Sequence, residues 1–297
     1  MPSYVTHSIH SMEVIKGIDL PIEIDSEELK VFSMGPDALM FIDYDLFEYQ
    51  HGAKTQEYFE YLLKSIKENH LEDERQVIEW TYCQANHYDL DSFIHIIIEY
   101  MTYGLSINGK WKYKFSPHAI LEMMIDSYVM NLTGYNEEEY FKRRIKLKNS
   151  LKGTINRLYG KVFQKRNIAN DYELGMFLMQ QFDKNIRRSK NPILRFISRG
   201  LRMGNFYYDV DLSKIEPYLN LDHKTIFNPF TGEEITDSFN DLWNKAIAES
   251  QEIINDINGY LYQGKPIKHY FMTHNTSANN RLPCKKRHKV LFYREYK

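Results

Sequence analysis

Two cysteines in 297 residues, Cys83 and Cys284, cannot build a disulfide framework, and neither belongs to a Cys-x-x-Cys pair. A reducing, cytoplasmic setting follows as the expectation. Long hydrophobic runs are missing too. The longest lies near Phe93–Ile98 and is broken by His95, far short of a membrane span. The first twenty residues hold Glu13, Lys16 and Asp19 and no continuous apolar stretch, so no signal peptide is expected. Neither repeats nor low-complexity tracts occur, and strand-like alternation is scarce.

What is plentiful is aromatic and apolar: 23 Tyr, 17 Phe and 43% hydrophobic residues, enough for a sizeable core. The net charge of −2 conceals an asymmetry. Residues 1–140 carry 9 basic and 25 acidic side chains, whereas residues 141–202 carry 17 basic and 3 acidic. Either the basic helices pack on the acidic half and the fields cancel, or the basic block faces an anionic partner such as lipid or nucleic acid.

Helical spacing of apolar residues predicts helices over 53–69, 75–103, 117–132, 136–165, 171–188, 192–203 and 236–258. Residues 1–20 read as a helix or an extended lead-in, Asp25 as a helix cap, and Gly35-Pro36-Asp37 as a turn or helix start. The stretch 75–103 is apolar nearly all round, the mark of a central buried helix, and Gly104 is expected to end it. Asn108-Gly109 suggests a loop or small hairpin; Ser116 then caps the next helix, with Pro117 in its first turn. The expected fold is all-α, with a helical domain over 1–262 and a basic tail over 263–297.

Seven of the eleven histidines fall within residues 1–118. In His87-Tyr-Asp-Leu-Asp91-Ser-Phe-Ile-His95, the residues His87, Asp91 and His95 recur at four-residue steps and share one helix face. That face belongs to an otherwise apolar helix, where polar groups need partners and a metal ion is a natural one. At a rise of about 1.5 Å per residue, His87 and His95 stand roughly 12 Å apart, too far for a single ion. Two metal positions are implied, one served by His87 and Asp91 and one by His95. The next helix supplies His118 and Glu122 at the same spacing, with Asp126 following as an acceptor for a ligand imidazole N–H. A single pair of this kind is more often an exposed ion pair; two sets on consecutive helices favour metal, and the imidazole and carboxylate mix suits zinc. His10 reads as a surface residue and Cys83 as a small core residue.

In order along the chain, these residues resemble the zinc-dependent phospholipase C family, in particular its intracellular, uncharacterised branch. The resemblance begins with Met-Pro-Ser-Tyr-Val-Thr-His7 and continues through Gly35-Pro36-Asp37, His51 ahead of Glu57-Tyr-Phe, His87, Asp91, His95, His118 and Glu122. It ends with Leu219-Asn-Leu-Asp222-His223 and Thr236-Asp-Ser-Phe-Asn-Asp-Leu-Trp243. It implies a phospholipase C or zinc nuclease-like multi-helix bundle with a multinuclear zinc site. Asp37, His51, His87 and Asp91 would hold one zinc, and His95, His118 and Glu122 a second. A third ion would use His7 and Asp91. Secreted members complete that third site with an N-terminal Trp, which this sequence lacks, so the site is either empty or completed by another group. The implied activity is that of a zinc-dependent phosphodiesterase, a hydrolase cleaving a phospholipid or related phosphodiester through a metal-activated water, with Asp37 as the catalytic base. The alternatives are a zinc-dependent single-strand nuclease, for which a nucleic-acid partner is the less favoured expectation, and a non-catalytic zinc-stabilised binding protein.

Overall fold

The structure is a computed structural model that describes residues 4–52, 54–109, 116–135, 144–187, 191–193, 196, 211–267 and 290–295. It is mostly helical. In chain order come α1 (Tyr4–Lys16), α2 (Ser26–Phe32), a 3-10 turn (Gly35–Leu39), α3 (Tyr44–Gly52), α4 (Thr55–Glu68) and α5 (Arg75–Ile107). They are followed by α6 (Pro117–Thr133), α7 (Asn149–Val162), α8 (Ala169–Phe182) and α9 (Phe239–Gln263). A small antiparallel ribbon pairs β1 (Ile226–Phe227) with β2 (Glu234–Ile235), Ile226 opposite Ile235. No helix among the described residues is long and apolar enough to cross a membrane.

Helix α5 is the axis of the bundle. Every residue from Gln76 to Ile98 is buried, as its all-round apolar character requires. Helices α1, α2, α6, α7 and α9 and the 3-10 turn all pack on it. Some of its buried polar residues are matched from the surrounding helices. Gln84 accepts from Tyr58 Oη at 3.1 Å and donates to Tyr172 Oη at 3.0 Å, and Ser250 Oγ donates to Asp89 at 2.7 Å. Such matching is what allows polar side chains on a fully enclosed helix.

Local signals account for several boundaries. Asp25 accepts from the backbone N–H groups of Glu27 and Glu28 and caps α2. Ser238 and Asp241 form a capping box that opens α9. Ser116 stands at the cap position of α6 with Pro117 in the first turn, but its hydroxyl makes no capping bond.

Two expectations are corrected. Gly104 does not end α5, which runs on to Ile107. A Cβ at Gly104 would lie 2.1 Å from the Arg294 carbonyl oxygen, so this glycine admits the returning chain rather than stopping a helix. The described residues 290–295 of the basic tail return to the helices. Arg294 N donates to the Tyr100 carbonyl at 2.9 Å, and Leu291 N to that of Pro229 at 2.8 Å. Finally, the helix expected from residue 136 begins only at Asn149. Residues 144–148 are extended, with Ile145 and Leu147 buried between exposed Arg144, Lys146 and Lys148. Side chains stand in for a helical ladder there: Gln76 donates to the Lys146 carbonyl and accepts from Lys148 N, and Glu173 accepts from Leu147 N. Residues 136–143 and most of 192–203 lie outside the described residues.

Candidate metal centre

Five elements converge on one face of α5. Helix α1 brings His7, the 3-10 turn Asp37, α3 His51, α5 itself His87, Asp91 and His95, and α6 His118 and Glu122. Steric fit positions the turn. Gly35 has φ +55°, and a Cβ on it would come within 2.6 Å of the His87 ring. On the turn's other side, a Cβ on Gly175 of α8 would meet the Ala38 carbonyl oxygen at 1.6 Å. Asp37 is therefore wedged between α5 and α8 by two glycines. Gly175→Ala is expected to push the turn off α8 and to cost about 2–3 kcal/mol, read as a lower urea midpoint. An unchanged midpoint would show that the turn is loosely held.

The polar atoms form three groups, the first two sharing His87: Asp37, His51 and His87; His7, His87 and Asp91; and His95, His118 and Glu122. In the first, Asp37 faces His51 Nε2 at 3.0 Å and His87 Nε2 at 3.5 Å. Asp91 sits at the junction, with Oδ1 at 3.2 Å from His7 Nε2 and 3.6 Å from His95 Nε2, and Oδ2 at 3.5 Å from His87 Nε2. Glu122 Oε1 faces His95 Nε2 at 3.1 Å and His118 Nε2 at 3.0 Å. Ligand atoms about 2.0–2.1 Å from a tetrahedral ion lie about 3.3 Å from one another, so these separations fit metal coordination.

Three of the five outward nitrogens are held as ligation requires, while Nδ1 of His7 and of His95 is buried without a hydrogen-bond partner. His51 Nδ1 meets the Phe47 carbonyl at 2.7 Å, and His87 Nδ1 that of Ser33 at 3.1 Å. A carbonyl only accepts, so each Nδ1 carries the hydrogen and the neutral ring turns its lone pair inward. His118 Nδ1 faces Glu99 Oε1 at 3.1 Å in the same sense. Inside, both Asp37 oxygens and His87 Nε2 are buried without a hydrogen-bond partner. Buried polar atoms left this way are costly unless something binds them, and a divalent cation satisfies all three. On this test the residues fit zinc.

The metal-free electrostatics are strained in the same direction. Burial opposes protonation of His51 and His118. The Asp37 carboxylate beside His51 outweighs burial and lifts its pKa to about 9, while Glu122 and Glu99 lift His118 to about 10. His7 is also raised, because Asp91 outweighs its burial. His87 goes the other way, to about 4, through burial and the neighbouring His7, whose ring stacks on it at 3.8 Å. Asp91 stays ionised despite burial because imidazoles surround it. The pocket thus holds carboxylates that only positive charge can neutralise, supplied either by protons on three histidines or by metal ions.

All eight residues expected to bind metal meet here. Asp126 plays another part: its Oδ1 accepts from the Thr6 backbone N–H at 2.8 Å and the Thr6 hydroxyl at 2.7 Å, anchoring α1 to α6 one residue before His7. His10 is corrected from surface to core. It is buried edge-on to Trp243, and burial together with His7 pushes its pKa down to about 3. Glu99 was missed, although it extends the four-residue stripe of His87, Asp91 and His95 by one step. Cys83 is buried in the core as expected, with its thiol pushed up by burial. Comparison with family models, with curated proteins and with solved structures gives no match to this chain.

Proposed function

We propose that this chain is a zinc-dependent phosphoester hydrolase, cleaving a phospholipid or a related phosphodiester. The observation that carries the reading is Asp91, one carboxylate shared by His7, His87 and His95, with a carboxylate–histidine group on either side. Sharing a carboxylate is how a protein keeps two cations close despite their repulsion, and closely spaced cations suit phosphoryl transfer. The residue types favour zinc over calcium or magnesium, which prefer all-oxygen ligand sets.

His51, His87 and Asp37 would hold one ion, His95, His118 and Glu122 another, and Asp91 with His7 would lie between them. Divalent ions held there supply Lewis acidity toward a phosphoryl oxygen and make a water's proton easier to remove near neutral pH. Asp37, with no hydrogen-bond partner on either oxygen, is assigned to take that proton. Access favours the other end, where the His118 side chain is 26% exposed and Glu99 12%, against 0–1% for His87 and Asp37. An open ligand position marks a catalytic rather than a purely structural zinc site. A single-strand nuclease is the second reading, favoured by the exposed Arg157 and Lys161 of α7 and the exposed Arg166 that follows it.

The test is metal content per chain on protein purified without added metal, together with hydrolysis of a chromogenic phosphodiester. Two or three zinc ions are expected, with activity lost to a chelator and recovered on adding zinc. One ion or none, with no turnover after zinc is restored, overturns the hydrolase reading. Steeply salt-sensitive binding of single-stranded DNA with cleavage would instead select the nuclease.

A further inference from the structure

Neither oxygen of Asp37 has a hydrogen-bond partner, so the carboxylate is aimed by the backbone that carries it. That backbone is the 3-10 turn Gly35–Leu39, and α8 holds it at two points. Tyr172 and Gly175 stand three residues apart on α8 and share one face. The bare backbone of Gly175 admits the Ala38 carbonyl, one residue after Asp37. The Tyr172 hydroxyl donates to the Gly35 carbonyl, two residues before it. The glycine contact only leaves room, whereas the tyrosine bond is directional and fixes where the turn lies.

Tyr172 is itself held. Gln84 of α5 donates from Nε2 to its hydroxyl at 3.0 Å, and Tyr58 of α4 donates to Gln84 Oε1 at 3.1 Å. All three side chains are fully buried. The chain of donors has one solution. A carbonyl only accepts, so Tyr172 gives its proton to Gly35 and must accept from an N–H. Gln84 therefore turns its amide nitrogen to Tyr172 and its oxygen to Tyr58, which donates. Burial pushes the phenols of Tyr58 and Tyr172 far above their usual pKa, so both stay protonated donors. Ring packing fixes the Tyr172 side chain as well: its centroid lies 6.0 Å from that of Trp80 and 6.5 Å from that of Tyr159. Tyr159 in turn donates at 2.8 Å to Oε1 of Gln50, the residue before His51.

We propose that Tyr172, oriented by Gln84 and Tyr58, is a positioning residue that places Asp37 for its metal ion. The inference rests on the metal centre of the preceding reading and not on hydrolysis. Without the hydroxyl, the turn loses this tie to α8 and the buried Gln84 Nε2 loses its acceptor, so Asp37 is no longer fixed against His51 and His87.

The experiment is titration of zinc against a competing chelator on the full chain, for the wild type, Tyr172→Phe and Tyr82→Phe. Tyr82→Phe is the control: it also removes a fully buried hydroxyl from the core, one that donates to Asn258 of α9 and not to the turn. Each is measured again with His118→Ala, which removes a ligand of the second ion, so that the remaining zinc reports on Asp37, His51 and His87. Tyr172→Phe is expected to weaken that ion about 10–100-fold, the range for a lost outer partner, and Tyr82→Phe to leave it unchanged. With cobalt in place of zinc, the visible spectrum of that ion should change in Tyr172→Phe alone. Wild-type affinity in Tyr172→Phe would overturn the proposal, and so would equal weakening by Tyr82→Phe, which would make the loss one of general stability. If Tyr172→Phe does not fold, Tyr58→Phe decides in its place: one bond further from the turn, it should weaken the same ion by less, and no weakening overturns the proposal. Zinc binding without turnover would sink the hydrolase reading alone. Unchanged affinity in the variants of an active hydrolase would sink the positioning role alone, and a wild type that binds no zinc would sink both.

Discussion

Asp91→Asn is expected to lose more than about 100-fold in affinity for at least one ion, and all measurable phosphodiester hydrolysis. Loss of an outer partner alone typically costs 10–100-fold, and Asp91 is placed as a ligand. The substitution keeps the shape of the side chain and removes its charge. Asp91 lies 3.2 Å from His7, 3.5 Å from His87 and 3.6 Å from His95, so it is the carboxylate that these three imidazoles share. An amide is a poor metal ligand beside two cations and cannot offset their mutual repulsion. The residue is buried at the middle of a long helix whose remaining contacts are untouched, so the variant should keep its helical content. Elemental analysis of metal per chain, alongside initial rates, reads both effects. A variant that still turns over would refute the assignment of Asp91 and, with it, the multinuclear reading.

The part of this centre carried by α5 and α6 was legible because helical spacing is a local property. His87, Asp91, His95, His118 and Glu122 announce themselves at four-residue steps, and Glu99 could have been added by the same rule. Asp37, His51 and His7 carry no such mark. Their place depends on long-range packing, on Gly35 and Gly175 letting the 3-10 turn slide between α5 and α8, and on Thr6 tying α1 to Asp126. Only resemblance pointed to them. Gly104 misled for a related reason: a glycine needed for close approach looks, in sequence, like one needed to end a helix. Residues 144–148 show the opposite failure. Their period-two alternation was visible, but it is too short to stand out beside a strongly helical neighbour.

Metal removal should do more than abolish activity: it should reverse the way stability responds to alkali. In the metal-free chain, His51 and His118 have folded-state pKa values of about 9 and about 10 against 6.5 unfolded. Their contribution is fully present below 6.5 and is lost as pH rises through 9 to 10; for His51 alone it is on the order of 3 kcal/mol. His87 and His10, depressed to about 4 and about 3, act in the other sense. Their contribution is present above 6.5 and is lost as pH falls toward those values. The metal-free protein should therefore be most stable near neutrality and soften toward pH 9. Bound ions take the place of the protons, because ligation needs neutral imidazole. The loaded protein then gains stability up to about pH 6.5, where the unfolded histidines finish titrating, and does not decline above it. If each ion is present at about 1,000 times its Kd it contributes about 4 kcal/mol, so two or three raise the midpoint on the order of 10–20 °C near neutrality. Thermal melts with zinc and with chelator at pH 6.5, 7.5 and 9 should show that gap widening with pH. A gap that is constant or narrows would mean that the protons on His51 and His118 and the ions do not compete for the same atoms, and the ligand assignment of both histidines would fall.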